Sequence, residues 1–373
     1  MSTSRPLRVG YLQVGRERSG LRRYGAILAA EAAGRPDVEV IESDIGGRHA
    51  SWGQLRAAAR RLAGADVVHL QWKLADWDPR LGGIPRLEIV RRSLRRPLVV
   101  TLHDVFAPRG RLAGRLGPTA LGLRHLGHAA ASLVVHADDE RRRLDGLVPA
   151  AKVEVIPHFV EVRPGLPDRT AAREALGVGD QRVLTLLGYI TKRRGHRLVI
   201  DALAQLPADV TAIFVGSTIE GRDHVAEELA RHAADIGVAD RVRFLGYLPE
   251  DELEQVLAAT DVALCPFRAM SASGALATWI SAGRPIVVSD LAPFRELGAL
   301  APGALHAFTP YAPGPLATCI RSTLELAAGS TIEGHDPRVD ALARRLATPH
   351  IVDRYLGLYL AAAGRHGRGG SGA

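Results

Sequence analysis

Residues 186–195 read Leu-Leu-Gly-Tyr-Ile-Thr-Lys-Arg-Arg-Gly, and a helix-patterned run follows over 196–206. An apolar strand ends at Gly188, crosses a short basic loop carrying Lys192 and Arg194, and enters a helix at Gly195. The first turn of a helix has backbone N–H groups without intrahelical partners, and aligned peptide dipoles place partial positive charge there. Fixed cations beside such groups suit a phosphate or diphosphate. Ser273-Gly274 is a second candidate of this kind. It opens another helical run, with Ser273 as a cap and the N–H groups of Gly274, Ala275 and Leu276 aimed at the same phosphates. His103 ends the apolar run 98–102, where a strand passes into a loop, so its side chain is expected to face a ligand. His136 and His158 occupy similar places and are read as structural.

Groups this far apart in sequence need a scaffold that gathers them. Apolar strands alternate with helical patterns along the whole chain. Strands are expected over 8–13, 38–42, 66–70, 98–102, 132–136 and 153–156, then over 182–187, 211–215, 242–245, 262–265 and 285–289. Helical runs include 21–33, 54–63, 196–206, 225–236, 251–259, 274–282 and 352–362. This β-α-β rhythm predicts parallel sheets covered on both faces, with ligand sites at the C-terminal ends of strands. The chain has 373 residues, and domains of about 100–200 residues imply two of them. The Pro/Gly-bearing stretch 162–168 is the expected linker.

Composition narrows the function classes. Only Cys265 and Cys319 occur, so a disulfide framework is not expected and a reducing compartment is the default. Residues 1–6 are polar and lead straight into a strand, without a signal-peptide pattern. No apolar run reaches the about 18 residues of a membrane span. Residues 1–165 hold 27 Lys and Arg against 17 Asp and Glu, a net of +10, while the remainder has 21 against 23. Basic clusters at Arg91-Arg92, Arg95-Arg96, Arg109 and Arg111, and at Arg16, Arg18, Arg22 and Arg23, fit an anionic partner of the first half. Scattered solvated arginines are the alternative. They lack the interleaved aromatics of a single-strand nucleic-acid site.

Several motifs are excluded. Gly15 and Gly20 have nearly P-loop spacing, but Leu21-Arg22 stand where Lys-Ser/Thr is required. No Gly-x-Gly-x-x-Gly occurs. Asp76-Trp-Asp78 is only a three-residue acidic match to a metal-binding pair, and His125-x-x-His128 has no further ligand pattern. No metal and no cofactor are expected.

Five stretches in order carry a resemblance to a known family. They are 9–20, 97–104, 153–158, 188–195, and the set 242–249, 259–266, 273–274 and 282–285. The chain resembles GT-B fold glycosyltransferases of retaining family 4. That resemblance implies two Rossmann-like domains facing a cleft: an acceptor-binding domain over 1–165 and a nucleotide-sugar domain over 166–345. A C-terminal helix over 346–365 would return to the first domain, with a disordered tail over 366–373. It implies catalytic roles for His103, Lys192 and Arg194. His103 would contact the transferred sugar, and its carbonyl would help stabilise the oxocarbenium-like transition state. Donor contacts fall on Gly20, Gly188, Lys192, Arg194, Tyr247, Ser273, Gly274, Ala275, Leu276 and Thr278. Acceptor contacts fall on Arg16, Arg18, Trp72 and Asp104.

One departure from the family pattern is clear. Its two glutamates, eight positions apart before the Ala-Gly-x-Pro turn, are Met270 and Thr278 here. Methionine accepts no strong hydrogen bond and threonine reaches less far. The reading is therefore a retaining hexosyltransferase using UDP- or GDP-sugars and a hydroxyl acceptor, anionic or lipid-linked in the basic-patch reading. An inactive sugar-binding protein and a sugar-nucleotide epimerase stay open as alternatives. A cytoplasmic location is expected, with peripheral contact at the inner membrane face as the variant that the basic half suggests.

Overall fold

A computed structural model of the chain describes residues 5–15, 20–46, 50–77, 83–103, 105, 117–163, 165–219, 221–270, 273–328 and 334–369. The chain folds as two compact units, Met1–His158 with Thr348–Ala373, and Phe159–Ala347.

In the first unit β1 (Leu7–Gln13), β2 (Val38–Asp44), β3 (Val67–Trp72), β4 (Leu98–Leu102), β5 (Ser132–Val135) and β6 (Val153–Val155) form a parallel sheet in the order β2-β1-β3-β4-β5-β6. Every residue of β3, β4 and β5 is buried. Helices on both faces cause this, so the strands read as continuous apolar runs. The helix Gly20–Ala33 crosses from β1 to β2. Against it lies the C-terminal helix Thr348–Gly369, with the Tyr24 and Tyr355 hydroxyls 3.0 Å apart. That helix runs to Gly369, past the expected end at 365; no proline interrupts it after Pro349.

In the second unit β7 (Arg182–Leu187), β8 (Val210–Val215), β9 (Val242–Gly246), β10 (Val262–Cys265), β11 (Ile286–Ser289) and β12 (Leu305–Phe308) are also parallel, in the order β12-β11-β10-β7-β8-β9. β12 has no counterpart among the expected strands. It is a four-residue edge strand interrupted by His306, so it offers no apolar run to read. Arg163, within the stretch expected as the linker, is fastened to this unit. Val160 N–H donates to the Leu346 carbonyl at 2.7 Å, and Arg163 pairs with Glu250 and Glu254 at 2.8 and 3.0 Å.

Strand order fixes where each unit can hold a ligand. In the second sheet the chain moves outward from β7 through β8 and β9, then returns to β10 on the other side of β7. At such a reversal the loops after the two central strands diverge and leave a crevice at their C-terminal ends. Those loops begin at Gly188 and Pro266. In the first sheet the reversal falls between β1 and β3, with β4 next to β3.

Candidate active site

At the β7–β10 reversal the two loops are joined. Arg268 N–H donates to the Arg193 carbonyl at 2.9 Å. Gly195 has φ +85°, and a side chain there would put its Cβ 2.3 Å from the Pro266 carbonyl oxygen. Only glycine allows this approach and this dihedral together. The Arg194 guanidinium stacks 4.3 Å above the Phe267 ring and lies alongside Gly188. A cation held on an aromatic face has lost much of its freedom before any ligand arrives. Lys192 is exposed and makes no hydrogen bond or ion pair with a described residue. His196, the first residue of the helix His196–Leu203, is buried edge-on against Phe214 at 5.0 Å. Burial, aided by the charge of Arg194, holds its pKa down at about 4, so it adds no charge to the loop.

The helix Gly274–Ser281 is the next element after β10 in the chain. Ser273 Oγ accepts from Leu276 N–H at 3.2 Å. That cap corrects one expectation: the Leu276 N–H is already used, and those of Gly274 and Ala275 remain without a partner among the described residues. Thr278 is half-buried and Tyr247 is 70% exposed beyond β9. Met270 is 8% exposed and belongs to an apolar cluster with Phe267, Leu276 and Trp279. The position is built for a hydrophobe. Met270→Glu is expected to lower stability in urea by about 2 kcal/mol, because the cluster offers a carboxylate little solvation. Met270→Leu should cost less than about 1.5 kcal/mol. A glutamate tolerated without loss would mean that residue 270 faces the ligand crevice.

In the first unit His103 follows β4, its N–H donating to the Trp72 carbonyl at 2.8 Å. Its ring meets Tyr24 at 5.1 Å and His136 at 5.2 Å between centroids, and Tyr24 meets His158 at 4.9 Å. Close packing, with His136, His158 and Lys73 nearby, pushes the His103 pKa well below its ordinary value, so the ring is neutral. His136 Nδ1 donates to the Ile156 carbonyl at 3.0 Å, a structural contact. Gly20 is exposed at the start of its helix. Trp72, expected at the acceptor, is buried. It is 4% exposed and stacked on Trp77 at 4.8 Å, because β3 is covered on both faces. Arg16, Arg18 and Asp104, like Asp78, Arg109 and Arg111, lie outside the described residues.

Sequence reasoning missed the polar layer under His103. Gln71 Oε1 is 2.7 Å from His103 Nε2, and Gln71 Nε2 is 3.4 Å from His69 Nε2. His69 also contacts Thr101 Oγ1 at 2.8 Å and the Tyr359 hydroxyl at 2.6 Å. Two polar residues two apart within the otherwise apolar run 67–72 were the available signal. The basic cluster lies elsewhere. Arg91, Arg95, Arg96 and Lys152 line a cavity of about 540 Å³. Arg95 and Arg96 precede β4 and Lys152 precedes β6, at the opposite ends of the strands from His103. No group of three or more metal-ligating side chains occurs among the described residues, and no described helix is long and apolar enough to cross a membrane.

Two open, parallel, helix-flanked sheets, one with a glycine-bounded basic loop at its strand reversal, match the two Rossmann-like domains of the GT-B fold. The family model described as glycosyl transferases group 1 matches residues 181–325, and that described as glycosyltransferase family 4 matches residues 20–163. The chain belongs to the GT-B glycosyltransferases of the family 4 type. It is 28% identical over 304 residues to the D-inositol 3-phosphate glycosyltransferase of Mycolicibacterium vanbaalenii, covering 76% of this chain and 60% of that one. It is 30% identical over 220 residues to the GDP-mannose-dependent alpha-(1-6)-phosphatidylinositol monomannoside mannosyltransferase of Mycolicibacterium smegmatis, covering 57% and 54%. The matches thus span little more than half the length of these relatives. Among solved structures, Anabaena HepE in complex with UDP has a TM-score of 0.74 at 19% identity, covering 95% of this chain and all of that one. A glycosyltransferase from Rickettsia africae has a TM-score of 0.72 at 12% identity, covering 95% and 98%.

Proposed function

We propose that the chain transfers a hexose or related sugar from a UDP- or GDP-linked donor to a hydroxyl, with retention of anomeric configuration and without a metal. One observation carries the reading. The β7–β10 reversal joins the Arg193–Arg194 loop to Arg268 after β10, and the next helix in the chain opens at Gly274 with two N–H groups that have no partner among the described residues. Departure of a nucleoside diphosphate leaves negative charge on its phosphates, and preorganised cations and dipoles stabilise that charge. Arg194 and Lys192 supply the cations; Gly274 and Ala275 supply the N–H groups. His103 is assigned to the transferred sugar and the first unit to the acceptor. The departing phosphate oxygen takes the acceptor's proton as the acceptor oxygen bonds to the anomeric carbon. The names of the relatives favour an inositol-type polyol, free or phosphorylated or lipid-linked, as acceptor.

The test is a thermal-shift screen with UDP, GDP and ADP, followed by measurement of nucleotide released from UDP-glucose and GDP-mannose. Ligand at about 100 times its Kd should add about 2.7 kcal/mol of stability. No shift with any nucleotide and no release would overturn the reading. Stabilisation without release would favour a second reading, a donor-binding protein without turnover, which buried Met270 and the absent carboxylates at 270 and 278 support. The cavity lined by Arg95 and Arg96 leads to a further expectation. Vesicles containing phosphatidylglycerol should co-sediment the protein at low salt and release it at high salt, as screening shortens the reach of surface charge. Lack of co-sedimentation at low salt would leave a soluble acceptor.

A further inference from the structure

A line of buried polar groups in the first unit runs from the end of β4 to the C-terminal helix, and its proton order can be followed. Gln71 Oε1 only accepts, so His103 Nε2, 2.7 Å away, carries a proton. The neutral ring then has its lone pair on Nδ1, which makes no hydrogen bond with a described residue. The Gln71 amide nitrogen only donates, so His69 Nε2 at 3.4 Å is an acceptor, and the Thr101 hydroxyl at 2.8 Å donates to the same atom. His69 therefore holds its proton on Nδ1 and donates to the Tyr359 hydroxyl at 2.6 Å. Thr101 Oγ1 accepts from the Tyr355 hydroxyl at 3.0 Å, which accepts from Tyr24 at 3.0 Å. The chain closes without two donors or two acceptors meeting. Gln71, His69 and Thr101 are 2%, 1% and 0% exposed, so water does not compete for these bonds.

We propose that Gln71 is the positioning residue of His103. Backed by His69 and by Tyr359 of the C-terminal helix, it fixes the ring in the Nε2–H form, with Nδ1 presented as the acceptor for a substrate hydroxyl. The proposal rests on the assignment of His103 to the sugar. Among the described residues, the titratable groups around the His103 ring are Tyr24 from the helix Gly20–Ala33, His69 on β3, Lys73 after β3, His136 after β5 and His158 after β6. None of these is a carboxylate, so nothing described here favours a charged ring.

Two readouts test it. The first is nitrogen NMR of the unliganded, histidine-labelled protein, with His103 assigned by loss of its signals in His103→Ala. Wild type should show His103 protonated on Nε2 alone. Gln71→Met, which keeps the volume and removes the acceptor, should give a tautomer mixture. Gln71→Glu should raise the pH at which His103 titrates. The second readout is nucleotide release from UDP-glucose or GDP-mannose, whichever the protein turns over. Gln71→Met should lower kcat on the order of 10- to 100-fold with donor KM within about threefold. Gln71→Glu should move the acidic limb of kcat to higher pH and recover activity above it, a rescue that a packing role would not produce. Wild-type His103 protonated on Nδ1 would overturn the proposal. So would a Gln71→Met kcat within about twofold of wild type while His103→Ala is inactive. Full turnover in His103→Ala would instead overturn the sugar assignment, and the NMR result would still judge Gln71. If Gln71→Met does not fold, Gln71→Glu carries both readouts.

Discussion

Arg194→Ala is expected to weaken binding of UDP or GDP by about 10- to 150-fold and to leave binding of the free nucleoside nearly unchanged. The range corresponds to the roughly 1.5–3 kcal/mol of a hydrogen bond to a charged group. Arg194 should sit at its upper end because the guanidinium is already stacked on Phe267 at 4.3 Å and packed beside Gly188. Little side-chain freedom remains to be lost when the phosphate binds. Lys192 differs. It is exposed and has no partner among the described residues, so ordering it offsets part of the gain. Lys192→Ala should therefore cost less, about three- to tenfold. Titration calorimetry with diphosphate and nucleoside separates these effects. Normal diphosphate affinity in both variants would show that this loop does not hold the phosphates.

Mild acid should unfold the first unit. Burial holds His69 and His136 neutral down to a pKa of about 3, and His103 is pushed down as well. In the denatured chain these rings take up protons near pH 6.5. The denatured state therefore binds more protons between about pH 6.5 and 3, and stability falls as pH falls through that window. Above it all these rings are neutral in both states and the term vanishes. Each histidine contributes about 1.4 kcal/mol per pH unit, so His69 and His136 alone remove nearly 3 kcal/mol per unit. Against a typical 5–15 kcal/mol, that should bring unfolding by about pH 4–5. Lowered carboxylates such as Glu88, held down chiefly by a hydrogen bond from Arg91, begin to act only below their own denatured-state pKa, later in the titration. Urea denaturation across this pH range, read by hydrogen exchange in each unit, measures the slope. His136→Gln can keep a donor for the Ile156 carbonyl and should flatten the slope by about 1.4 kcal/mol per unit. A flat wild-type profile from pH 6.5 to 4 would show that the rings are solvated.

The phosphate loop was legible because its signals are local. A strand run, Gly188, two cations and Gly195 lie within a few residues, and glycine at Gly195 is demanded by the approach of Pro266. The inner strands of both sheets were legible for a related reason. Burial on two faces leaves no alternation, only apolar runs. The edge strand Leu305–Phe308 was not legible because it has four residues, His306 among them, too few to form a run. The burial of Trp72 was not legible because residue type at a strand end does not tell which side is covered; the neighbouring Trp77 decides it.

What the sequence by itself determined, then, is the element order, the α/β class and the basic loop between Gly188 and Gly195. Each depends on residues close together in the chain. Tertiary structure alone decided which distant groups meet. Strand order placed the Pro266 loop against Arg194, and the fold brought Tyr355 and Tyr359 under β3 and β4. It also left Arg95 and Arg96 at the ends of the strands opposite His103. Periodicity records which face of an element is buried and carries no information about the partner that buries it.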